Sequence, residues 1–124
     1  MSKPIQHVLI VDDNRLPRIM ERTILTKHFP DLTVHDAGTD EEALSLVEQH
    51  AIDLALLDIN MPGLGGIELA KKIQTDHPVQ HLCFISANIQ KSSVEQAGAL
   101  GAHFIAKPIS EEKLIKLIGQ LNGA

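Results

Sequence analysis

The chain has 124 residues, 44% of them hydrophobic and 22% charged, with a formal net charge of −5. That length holds one domain, because a second core would leave both too small to be stable. The acidic balance, with no Lys/Arg cluster, argues against a nucleic-acid surface, which needs concentrated positive charge; no apolar run approaches the roughly 20 residues of a membrane-spanning helix.

With three Phe and no Trp or Tyr, the core must be built from Leu, Ile, Val and Ala. Residues 7–11 (H-V-L-I-V) read as the first strand from their length and β-branched content. Leu16, Ile19, Met20, Ile24 and Phe29 follow at helical spacing, and Pro30 and Asp31 stop that helix. Residues 32–37 form a second strand. Thr39 with Glu42 makes a capping box for the next helix, and Asp40, Glu41 and Glu42 suit its positive end. Ala43, Leu44 and Val47 supply the inner face of that helix.

Residues 52–57 form the third strand, and a helix over about Leu64 to His77 turns Ile67, Ala70 and Ile73 inward until Pro78 ends it. Residues 81–86 are the fourth strand; Cys83, alone in the chain, sits in it as an inert core residue. Residues 91–100 make a weaker helix because Gly98 lies inside it. Residues 103–106 are the fifth strand, and Ser110 caps a last helix with Leu114, Ile115, Leu117, Ile118 and Leu121 on one face.

Apolar strands alternating with helices imply an α/β fold with a parallel sheet covered on both faces. Right-handed crossovers point to a doubly wound, flavodoxin-like sheet of order 2-1-3-4-5, with ligands outside the carboxyl ends of its strands. At those ends stand Asp12 and Asp13, Asp58, Ser86, and Lys107-Pro108. Singly, each has a plainer use: Asp12, Asp13 and Asn14 as helix caps, Ser86 as a partner for backbone groups, Lys107 as a solvated cation. Their convergence on one rim favours chemistry.

Three close carboxylates repel unless a cation joins them, and an all-oxygen shell favours Mg²⁺. A carboxylate beside that ion and an ammonium group has the parts for phosphoryl transfer. Pro62, Gly63, Gly65 and Gly66 would keep the loop after Asp58 short of side chains, giving a phosphoryl donor room to approach.

The motifs L-I-V-D-D (9–13), A-G-T-D-E-E-A-L (37–44), L-L-D-I-N-M-P-G-L-G-G (56–66), I-S-A (85–87) and F-I-A-K-P (104–108) occur in one order along the chain. In this the sequence resembles the receiver domain of two-component response regulators, over essentially its whole length. The resemblance implies that Asp58 accepts a phosphoryl group from a histidine kinase or phosphotransfer protein. Asp13 would ligate Mg²⁺ directly, Asp12 largely through water, Asp58 through its carboxylate and Asn60 through its backbone carbonyl. Lys107 would pair with the phosphoryl oxygens, the Lys107–Pro108 peptide would be cis, and Ser86 with Phe104 would form the switch pair. Ser86 stands where the family more often has Thr. Asn60 and Asn88 hold positions that in the family affect hydrolysis of the acyl phosphate.

The reading is thus one receiver domain over residues 1–124 without an output domain, catalysing nothing beyond its own Mg²⁺-dependent phosphorylation and dephosphorylation. An unknown protein partner would bind through the fourth helix, fifth strand and fifth helix, with no nucleic acid or membrane involved. A phosphorelay or phosphate-sink receiver is an alternative. An Asp-nucleophile phosphatase is disfavoured, because that class wants Asp where residue 14 is Asn, and a cap domain besides. The lone cysteine and the absence of a leader-like N-terminus make the cytoplasm the expected compartment. The seven histidines, at 7, 28, 35, 50, 77, 81 and 103, show no metal-ligand spacing except His77 and His81, where Pro78 breaks any helix between them, and they read as scattered surface and strand-end residues.

Overall fold

The structure, a computed structural model, describes residues 4–87 and 90–123; Asn88 lies outside them. Five strands alternate with five helices: β1 (His7–Val11), α1 (Arg15–His28), β2 (Thr33–Ala37), α2 (Asp40–Gln49), β3 (Leu54–Asp58), α3 (Gly66–Asp76), β4 (His81–Ser86), α4 (Lys91–Ala99), β5 (His103–Ala106) and α5 (Glu111–Gly123). All pairings are parallel, in the order β2-β1-β3-β4-β5. The expected fold class is therefore the one observed.

Side chains of a strand alternate between faces, so the three central strands feed two cores. Leu9, Val11, Ala55, Leu57, Leu82 and Phe84 meet α2, α3 and α4 on one face. Val8, Ile10, Leu54, Leu56, Cys83 and Ile85 meet α1 and α5 on the other. Burial on both faces explains why these strands read as unbroken apolar runs rather than alternating ones.

Local signals set the helix starts. Thr39 Oγ1 accepts the Glu42 amide at 3.1 Å, and Ser110 Oγ accepts the Lys113 amide at 3.2 Å, as their capping roles require. Two elements differ from expectation. Helix α3 begins at Gly66 rather than near Leu64, which stays exposed. In α1, Ile24 and Leu25 are buried, but Leu16, Ile19 and Met20 are 62%, 47% and 42% exposed. The buried neighbour of those residues is instead Glu21.

Candidate functional site

The parallel sheet brings the strand ends to one rim, and its ladder runs one residue further into the loops. The Asp12 amide donates to Ala37 O at 3.1 Å, Ile59 N to Ile85 O at 3.2 Å, and Lys107 N to Ser86 O at 2.8 Å. Each reactive side chain thus leaves a backbone tied to the neighbouring strand rather than a free loop. The Lys107–Pro108 peptide is cis.

Carboxylate oxygens of Asp12, Asp13 and Asp58 lie within 4.8 Å of one another, so these residues can hold one cation together. Asp12 and Asp58 are buried and Asp13 is exposed, leaving one side open to solvent. Lys107 Nζ reaches Asp12 Oδ2 at 3.1 Å and Asp58 Oδ2 at 3.7 Å. The Asn60 amide donates to Asp58 Oδ1 at 3.3 Å. Ser86 is fully buried at the end of β4. Phe104, on the adjoining β5, is half-buried at the edge of the α2–α4 core.

The electrostatics follow from crowding. Burial, then the Asp12 charge, hold the Asp58 carboxyl above its ordinary value, and the Asn60 amide and Lys107 only partly offset them. Burial works against the Lys107 charge, but its hydrogen bond to Asp12 and the charges of Asp12, Asp58 and Glu21 outweigh it, so its pKa is raised. A divalent cation suits this donor set: hard oxygens, excess negative charge and an open side for water.

The helix-capping use of the acidic pair falls to Asn14 instead. Its Oδ1 accepts the Leu16 amide at 3.2 Å, while Asp12 Oδ1 accepts the Asn14 amide at 2.9 Å. Capping by Asn14 leaves Asp12 and Asp13 turned to the rim.

The glycines after Asp58 have a backbone cause of their own. A Cβ on Gly66 would lie 2.3 Å from Asp58 O and 2.8 Å from Ile59 Cα, so α3 starts against bare backbone there. Gly63 and Gly65 adopt φ of +85° and +82°, conformations that side chains disfavour. Glycine here shapes the loop that carries Asp58.

Two supporting residues had no signal in the sequence. Arg18 Nη1 donates to Asp12 O at 2.6 Å and its Nε reaches Asp36 Oδ2 at 3.5 Å, fastening the β1 end to β2. Glu21, 2% exposed, lines an apolar cavity of about 330 Å³ with Pro17, Met20, Ala87, Lys107 and Pro108. Burial, then the Asp12 charge, push its carboxyl up to about 8. Helical periodicity gave no reason to place a glutamate inside.

A family model described as the response regulator receiver domain matches residues 8–119. The chain is 36% identical over 119 residues to the glycerol metabolism activator of Pseudomonas putida, covering 94% of this chain and 54% of that protein. It is 32% identical over 113 residues to the cyclic di-GMP phosphodiesterase response regulator RpfG of Xanthomonas campestris pv. campestris, covering 87% of this chain and 29% of that one. The chain thus spans about half or less of the length of these relatives. A CheY-like response regulator receiver domain of Methanospirillum hungatei has a similar structure, with a TM-score of 0.84 at 27% identity over 94% of this chain and 92% of that one. With its strand order, its rim of acids and its lysine accounted for, the chain belongs to the receiver-domain family of two-component response regulators.

Proposed function

We propose that the chain is a phosphorylation switch, in which Asp58 takes a phosphoryl group from the phosphohistidine of a histidine kinase or phosphotransfer protein. The observation that carries this reading is the buried Asp58 with Asp12, Asp13 and Lys107 gathered about its oxygens. An Asp58 carboxylate oxygen forms the new P–O bond as the donor's P–N bond breaks, its electron pair leaving with the imidazole nitrogen. Asp13 and Asp58, the Asn60 carbonyl and, through water, Asp12 would hold Mg²⁺. When bound, that ion supplies the positive charge that lets phosphoryl oxygens settle among carboxylates.

Lys107 pairs with a phosphoryl oxygen, and the Ser86 hydroxyl donates to another, with Phe104 following inward. Phosphorylation adds a charge of roughly −1.5 to −2 at one strand end. It favours the partner-binding arrangement only by as much as those contacts differ between the two states. The partner is a protein that meets α4, β5 and α5, and a cytoplasmic place of action goes with this donor.

The test is intact mass after incubation with acetyl phosphate and Mg²⁺. The native chain gains one phosphoryl group and Asp58→Asn gains none. A native chain that stays unmodified, or a variant modified as fully as the native chain, overturns the reading.

A further inference from the structure

Three histidines that lie far apart in the chain come together at the end of the sheet opposite the aspartates. His7 opens β1, His35 is the third residue of β2, and His50 caps the C-terminus of α2. His7 pairs with Thr33, and Leu9 with His35. Alternation therefore places both imidazoles on the face that Leu9 shares with α2. The rings form a stack. Centroids are 5.4 Å apart for His7–His35 and 4.3 Å for His35–His50, with interplanar angles of 11° and 27°. His7 Nδ1 lies 3.2 Å from His35 Nε2, and all three rings are half-buried and reachable from solvent.

We propose that His7, His35 and His50 form a binding site for a borderline transition-metal ion of the Zn²⁺ class, separate from the carboxylate rim. Zn–N bonds of about 2.0–2.1 Å in tetrahedral geometry set ligand nitrogens about 3.3–3.4 Å apart. The His7–His35 nitrogen separation of 3.2 Å already matches that edge. Imidazole donors select Zn²⁺, Ni²⁺ and Cu²⁺ over the hard ions that carboxylates take. Ligation needs neutral rings, and burial, then His50, His7 and Arg22, disfavour protonation of His35. Helix α2 ends at His50 with no basic residue in its last turn, so its carbonyl end faces a cation favourably.

Among the described residues, Asp12, Asp13 and Asp58 are the one trio of potential ligands whose donor atoms converge within 4.8 Å. His50 must therefore turn out of the stack to become the third ligand, and water completes the shell. The proton in the His7–His35 hydrogen bond moves to the outer nitrogen of the ring that donates it. Two neutral rings then bind through Nδ1 of His7 and Nε2 of His35, with no net proton release.

The experiment is a Zn²⁺ titration of the untagged chain in saturating Mg²⁺, followed by long-range ¹H–¹⁵N spectra of the imidazoles and by thermal unfolding. One equivalent binds in the micromolar range, the His7, His35 and His50 nitrogens shift, those of His77, His81 and His103 do not, and the melting temperature rises. His35→Gln and His7→Gln each weaken binding about tenfold or more, His50→Gln weakens it less, and His77→Gln binds as the native chain. Zn²⁺ that perturbs only the surroundings of Asp12, Asp13 and Asp58, millimolar binding, or native affinity in His35→Gln and His7→Gln overturns the proposal.

Discussion

Lys107 Nζ lies 3.1 Å from Asp12 Oδ2, which makes Asp12 its nearer partner on the rim. The side chain of Asp12 is 3% exposed and that of Lys107 23%, so the pair is only partly screened by water. Breaking such a pair from one side leaves a carboxylate without its counter-charge. Lys107→Met is therefore expected to destabilise the chain without Mg²⁺, by about 1–3 kcal/mol given the lysine's partial exposure. The same change removes a cation that competes for Asp12, so Mg²⁺ binds several-fold tighter. Calorimetric titration and urea unfolding with and without Mg²⁺ check both; equal Mg²⁺ affinity in the two chains would sink the competition.

Gly66→Ala places a methyl group on the backbone of Asp58 and Ile59, where neither can yield cheaply. A loss of about 1–3 kcal/mol is expected, the range of overpacked sites. Phosphoryl acceptance from acetyl phosphate falls with it, because the loop carrying Asp58 must shift. Gly119→Ala, inside α5 with open space around its new methyl group, is the unclashed control and should gain about 0.5–1 kcal/mol from helix propensity. Denaturant midpoints for the two variants decide the matter, and matching midpoints would refute the packing argument.

Glu21 ties stability to pH. Its folded pKa of about 8 stands above the ordinary 4.5, so between those values the folded chain holds a proton that the unfolded chain has released. Stability from this group is intact below about pH 4.5, declines as pH rises, and is fully lost above about pH 8, by on the order of 5 kcal/mol. Glu21→Gln cannot ionise, so its stability relative to the native chain climbs steadily from pH 5 to pH 8. Parallel stability curves over that interval would show the carboxyl to be ordinary.

Gly98 stands inside α4 with nothing within 4 Å of the position its Cβ would take. Gly98→Ala should stabilise the chain by about 0.5–1 kcal/mol through helix propensity alone. Amide exchange in residues 91–99 slows in the variant, and in the native chain it is faster there than in residues 15–28. Equal protection of the two native helices would contradict this.

Much of the fold was legible because the strands are apolar on both faces and short, and their polar ends therefore stood out. The rim residues Asp12, Asp13, Asp58 and Lys107 follow directly once parallel strands share one carboxyl edge. What escaped the sequence depends on direction and distance. Periodicity assigned Leu16, Ile19 and Met20 to the helical face, yet they stay exposed while Glu21 is buried, because spacing does not say which arc of the helix meets the sheet. Asp53 reads as part of a strand, yet its carboxylate accepts the Gln6 and His7 amides at 2.9 Å each and ties the start of β1 to β3. His7, His35 and His50 lack any ligand spacing because strand pairing and the end of α2, not neighbouring positions, unite them.

The bond from the Lys107 amide to the Ser86 carbonyl makes the lysine a passenger of residue 86. Any backbone displacement that swings the serine hydroxyl tugs the root of the ammonium arm with it. Under the proposed switch, hydroxyl and ammonium would therefore answer a new anion as one linked gesture, and a substitution that stiffens either would be felt by its companion.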